Sequence, residues 1–163
     1  MKHLAWIALL FSSVAAAELE LKKTNVSYGL GSYGDFTFKA YQVGYTNNHK
    51  GFAFTVLGGQ SEKGEGHYMR NFYSMAATYE IAAQKGFSLL IGPMYTEYKA
   101  CYVEWGCNPD TGAGWVAGIR KRISSNVSAK LTFNDYYRKK HKVLGYERTT
   151  AIGISLCLSG IKL

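Results

Sequence analysis

The 163-residue sequence predicts an all-β chain closed into an eight-stranded antiparallel up-and-down transmembrane β-barrel, and three observations predict it. Large apolar and small or polar residues alternate with a period of two through one segment after another. Short turns and longer polar loops join those segments in alternation. Beyond the amino terminus, no stretch is apolar for long enough to span a bilayer as a helix. Composition agrees: 13 Tyr, 8 Phe and 18 Gly against 2 Pro favour pleated strands, tight turns and a crowded interior.

Met1-Lys2-His3, the apolar run Leu4 to Phe11 and the ending Ser12-Ser13-Val14-Ala15-Ala16-Ala17 have the form of a secretory signal peptide, cut after Ala17. Residues 18–163 are then the barrel domain. The competing reading, a membrane anchor or buried helix, fails on length, since a spanning helix needs ~20 apolar residues. The full chain carries a formal charge of +8, and the cut removes one Lys and no acid. A basic exported chain suits lipid phosphates and anionic polysaccharide. Without a helix-turn-helix pattern, zinc spacing or aromatic RNA-binding motif, nucleic acid is not expected as a partner.

Glu18 to Lys23 reads as a charged lead-in without assigned structure. The first strand is expected over Asn25 to Gly31, with Val26, Tyr28 and Leu30 on the apolar face and Ser27, Gly29 and Gly31 on the other. After a loop at 32–35, the second strand (36–46) sets Tyr41, Val43 and Tyr45 against Ala40, Gln42 and Gly44. Asn47 to Gly51 is a turn by composition. The third strand (52–60) sets Phe52, Phe54 and Val56 against Ala53 and Thr55. Residues 61–71 form a polar, Gly-rich loop.

The fourth and fifth strands make the most regular hairpin, FYSMAATYEIAAQKGFSLLIGPMYT, Phe72 to Thr96, turning at Gln84-Lys85-Gly86. Tyr73, Met75, Ala77, Tyr79 and Ile81 oppose Ser74, Ala76, Thr78 and Glu80. Residues 97–114 form a cysteine-containing loop. The sixth strand (115–123) sets Trp115, Ala117 and Ile119 against Val116, Gly118 and Arg120, and Ser124-Ser125-Asn126 turns the chain. The seventh (127–138) sets Val127, Ala129, Leu131 and Phe133 against Ser128, Lys130, Thr132 and Asn134. After the basic loop 138–146, the eighth sets Ile152, Ile154, Leu156 and Leu158 against Ala151, Gly153, Ser155 and Cys157.

An eight-stranded lumen admits side chains and little else, so the small and polar face belongs inside and the aromatic and aliphatic face against lipid. Glu80, Arg120 and Lys130 fall toward the same end of their strands, which predicts a buried ionic cluster of Glu80 with Arg120, Lys130 or both. Such a cluster reads as a plug or, less simply, as a gate or catalytic carboxylate. A lipocalin-like barrel with the aromatics inside is the alternative, but its outer surface would be small and neutral, which is poor for solubility. Cys101 and Cys107 in CYVEWGC are expected to form a disulfide in an oxidising compartment, and Cys157 to stay a packed free thiol. No His stands at ligand spacing from the loop cysteines, so neither a metal nor another cofactor is expected.

NFYSMAATYEIAAQKGFSLLIGPMYTEYK, Asn71 to Lys99, resembles the fourth strand, turn and fifth strand of the small outer-membrane barrels of the Ail/OmpX/Lom family. GWVAGIRKRISSNVSAKLTFNDYY, Gly114 to Tyr137, is similar to that family's sixth and seventh strands. The resemblance covers essentially all of the mature chain. It implies an outer-membrane protein with periplasmic termini and exposed loops, in a family linked to adhesion, complement resistance and neutralisation of defence factors. Two features depart from the pattern. The last strand lacks a terminal aromatic and leaves Gly153, Leu156 and Leu158 as the assembly signal, and a cysteine-stapled loop is not a general family feature.

The function expected is therefore that of a monomeric surface interaction protein acting through Lys63, His67 and Arg70, Tyr102 and Trp105, and Arg138, Lys139, Lys140, His141 and Lys142. Charge-assisted hydrogen bonds from these groups suit lipopolysaccharide phosphates, sulfated or other anionic glycans, or host surface proteins. The bland alternative is that the lysines only solvate the loops. A lipid A- or phospholipid-modifying enzyme is the competing class, but His49, His67 and His141 lack a neighbouring Ser and carboxylate in a catalytic arrangement. A pore is disfavoured by the narrow, charge-filled lumen.

Overall fold

A computed structural model describes residues 17–29, 35–49, 51–62, 67–102, 106–138 and 148–160. Eight strands follow in chain order: β1 (Ala17–Gly29), β2 (Asp35–His49), β3 (Phe52–Ser61), β4 (His67–Ala82), β5 (Phe87–Tyr102), β6 (Gly106–Arg122), β7 (Val127–Arg138) and β8 (Arg148–Ser159). Each pairs antiparallel with its neighbours in sequence, and β1 pairs with β8, so the sheet closes as an up-and-down barrel. Closure leaves no long sheet edge to recruit another chain.

The short connections share one end, called here the turn end, with Ala17 and Gly160. Gly51 turns with φ +84°, and the β4–β5 hairpin reverses over Gln84–Gly86 with Lys85 and Gly86 at φ 57° and 74°. These left-handed conformations suit Gly and explain the tightness of the turns. At the opposite, loop end, β4, β5 and β6 continue beyond the described parts of β3 and β7. Among the described residues, 67–70 of β4 and 106–111 of β6 pair with β5 alone. A bulge at Asn71, φ 50°, shifts the β4–β5 register between Arg70 and Tyr73.

Several expectations require correction. The expected lead-in Glu18 to Lys23 is the first half of β1; Leu30 and Gly31, the expected end of that strand, lie outside the described residues. Its facing is also reversed: Glu18, Glu20, Thr24 and Val26 are buried in the lumen, whereas Leu21 and Asn25 are exposed and Ser27 is only half-buried. Alternation is real there, but its inward set is charged, so the usual rule that charges face outward inverts the strand. The expected loops 61–71 and 97–114 are largely strand, because hairpin extensions that rise clear of an apolar medium need no apolar face. Asp35, expected in a loop, opens β2.

On the other strands the expected facing holds. Trp115, Ile119, Leu131, Phe133, Ile152, Ile154 and Leu156 point outward, with Trp115 63% and Ile154 64% exposed. An outer surface this apolar on a closed barrel fits hydrocarbon, and no helix among the described residues is long and apolar enough to cross a membrane. Inside, the half toward the loop end is packed by Val26, Ala40, Phe72, Met94, Tyr98, Val116, Tyr136 and Ala151. The rings of Phe72 and Tyr98 meet edge to face with centroids 5.8 Å apart.

Inward-facing glycines let the strands approach this filling. A Cβ added at Gly92 would lie 1.9 Å from the Ala77 carbonyl oxygen, which is backbone and cannot rotate away. At Gly58, on the outward face, the nearest atoms would be the Tyr73 ring carbons at 3.2 Å, which can give. Gly92→Val is therefore expected to abolish the compact, heat-modifiable form on refolding into detergent micelles, whereas Gly58→Ala keeps it; equal behaviour of the two on gels would contradict this packing.

Candidate functional site

Two regions concentrate chemistry: the lumen toward the turn end and the three-stranded extension at the loop end. In the lumen, Arg120 of β6 is the hub. Its guanidinium donates to Glu18 of β1, to Glu80 of β4 at 3.2 Å and to Ser128 of β7 at 3.0 Å. Deeper in, Lys130 Nζ donates to Glu20 Oε2 at 2.7 Å and to Thr46 Oγ1 at 3.2 Å, while the Thr46 hydroxyl donates to the same Glu20 oxygen at 2.6 Å. Lys22 occupies the room left by the missing side chain of Gly153. Three carboxylates (Glu18, Glu20, Glu80) thus face three cations (Lys22, Arg120, Lys130) in a low-dielectric interior, where an uncompensated charge is costly.

Glu80 is the Arg120 partner that its strand position suggests, but Lys130 pairs with Glu20, not Glu80. Glu18, Glu20 and Lys22 escape the sequence reading because β1 was assigned no structure there. The signal that finds them is the strict alternation Glu18-Leu19-Glu20-Leu21-Lys22. Between the ionic and aromatic layers, a cavity of about 40 Å³ remains, lined by Glu20, Lys22, Met94, Val116, Thr132 and Asn134 among others. It holds one or a few waters at most.

At the loop end, Arg70 of β4 and Lys99 of β5 stand opposite each other across the ladder, both exposed and on the outer face. Beyond them Cys101 and Cys107, partners in the β5–β6 register, are joined by a disulfide. It ties the tip of the extension, and Tyr98 anchors its inner face by donating to Asp110 at 3.4 Å. Cys157 is free and buried in the lumen. Of the other expected binding residues, Lys63, Trp105, Lys139, Lys140, His141 and Lys142 lie outside the described residues. His67, Tyr102 and Arg138 lie within β4, β5 and β7 with only their backbone described. His49 is exposed at the turn end of β2, and no three metal-ligating side chains cluster among the described residues.

No protein-family model and no curated protein matches the sequence. Solved structures do match the fold. Neisserial surface protein A superposes with a TM-score of 0.75 at 12% identity, covering 88% of this chain and 97% of that one. Ail, the attachment invasion locus protein of Yersinia pestis, gives 0.59 at 12% identity, covering 87% and 96%. The N-terminal barrel domain of Pseudomonas aeruginosa OprF gives 0.55 at 14%, covering 86% and 97%.

The lumen pairs make a direct prediction. Lys130→Met leaves Glu20 buried without its cation and is expected to cost about 3–5 kcal/mol in urea unfolding from micelles, with most of the loss recovered when Glu20→Gln is added. Additive losses in the double variant would mean that the two residues do not act as a pair. With its single closed sheet, apolar exterior and charge-neutralised interior, the chain has the fold of the small eight-stranded outer-membrane β-barrels, consistent with an Ail/OmpX-like architecture.

Proposed function

We propose that the protein resides in a bacterial outer membrane, turn end in the periplasm and loop end outside, and acts there as a surface interaction protein that holds anionic glycans. The observation that carries this reading is the juxtaposition of Arg70 and Lys99 on a disulfide-tied extension. Two exposed cations at one point of the outer face make a local positive charge density of the kind that suits sulfate and phosphate groups. The basic run Arg138 to Lys142 follows β7 in the sequence and supplies further cations to the reading. Ail of Yersinia pestis has been solved with the heparin analogue sucrose octasulfate, which lends the glycan reading chemical precedent on this fold.

Contact with lipopolysaccharide is a second part of the proposal. Lys23 faces outward beside Ile154 and Tyr41, its ammonium 5.7 Å from the Tyr41 ring centroid. Tyr41 is in turn fixed by donating to Glu62 at 2.5 Å. A cation at the upper edge of an apolar belt suits a lipid phosphate. Adhesion or resistance to host defence is the activity such binding would serve.

Binding of the purified, folded barrel to immobilised heparin tests the glycan reading. Arg70→Ala with Lys99→Ala, combined with Ala across 138–142, is expected to weaken binding about tenfold or more at physiological salt, since each lost charge-assisted contact is worth ~1.5–3 kcal/mol. Cys101→Ser with Cys107→Ser should keep the heat-modifiable barrel yet weaken binding. Unchanged retention by all of these variants would end the proposal.

A further inference from the structure

The turn-end mouth of the lumen, about 580 Å³, is lined by Glu18, Asn48, Glu80, Arg120, Arg122 and Ser159 among others. Glu18 is more than nine-tenths buried. Its Oε1 accepts from Arg120 and from the Ser159 hydroxyl at 3.1 Å, whereas its Oε2 has no donor among the described residues. The Asn48 Oδ1, on the adjacent strand and lining the same mouth, is likewise buried without a donor. Two orphaned acceptors in one enclosure point to a missing donor, because burying an acceptor unpaired costs the desolvation of that group.

The side chains nearby do not supply it. Arg120 already serves Glu18 Oε1, Glu80 and Ser128; Lys130 serves Glu20 and Thr46; Arg122 and His49 are exposed at the rim. The leader expected from the sequence ends at Ala17, so its removal would create an α-ammonium on Glu18 itself, at the start of β1. We infer that this mouth is the binding site for the chain's own mature amino terminus: cleavage after Ala17 supplies the three-donor cation that Glu18 Oε2 and Asn48 Oδ1 lack, and thereby completes the lumen network. The inference rests on the cut site and not on the glycan-binding proposal.

A paired α-ammonium has a folded-state pKa raised above the ~7.7–8.0 of a free amino group. Its contribution is present below that range and is lost as pH rises through the raised value. Glu18, Glu20 and Glu80 favour the charged amine, while Arg120, Arg122, Lys130 and Lys22 oppose it. Two forms are refolded into micelles and unfolded with urea: the chain beginning at Glu18, and the same chain preceded by Ala16 and Ala17. At pH 7 the Glu18 form is expected to hold a folded-to-unfolded ratio about tenfold higher, the increment of one charge-assisted hydrogen bond. The advantage should fade at alkaline pH, and Asn48→Leu should shrink it, because only the Glu18 form loses a pair to that oxygen. Equal stability at pH 7, a difference indifferent to pH, or an equal effect of Asn48→Leu on both forms would overturn the assignment. So would an amino-terminal sequence other than Glu18-Leu19 on protein isolated from membranes.

Discussion

The constraint on which the structure depends is the narrowness of its lumen. Eight strands enclose space for side chains and little more, so every inward residue is either packed against another or paired in charge. The chain answers with two layers. Toward the loop end, Phe72, Tyr98, Tyr136 and Met94 fill the bore with apolar volume. Toward the turn end, Arg120 and Lys130 neutralise Glu18, Glu80 and Glu20. The outward residues then have one task, to meet hydrocarbon, and their uniformity on β4 to β8 follows.

How far this was legible depends on the contrast between the two faces. On β4 to β8, large apolar residues alternate with Ser, Thr, Gly and Ala, and both the strands and their facing can be read directly. β7 begins at the residue expected, Val127, and is strand over all of the expected range to Arg138. On β1 the inward set is Glu18, Glu20, Lys22 and Thr24, and Lys23 also faces outward. Charges thus fall on both faces and erase the contrast. The pairs that identify them as inward, Glu18 with Arg120 and Glu20 with Lys130, join residues more than a hundred positions apart. No local pattern contains that information.

The strand extensions were hidden for a different reason. Beyond the described ends of β3 and β7, the outer face of β5 carries Glu97 and Lys99 in place of large apolar residues, so the period of two loses its hydrophobic signal. Asn71, Asn108, Pro109 and Gly106 look like loop residues, and only the pairing of Cys101 with Cys107 in register reveals a ladder. Pro109 lies beyond the last described β6–β7 pair, Gly112 with Arg138.

The unpaired thiol of Cys157 gives the lumen a chemical consequence. In an oxidising compartment the unfolded chain would offer three sulfhydryls, any two of which could join. Cys101 and Cys107 are six residues apart, so closing their small ring costs far less chain entropy than a link from either to Cys157. Once the last strand docks, Cys157 is sealed among the inward side chains and no longer reachable. Barrel closure thus protects the correct bond from exchange as well as holding back solvent.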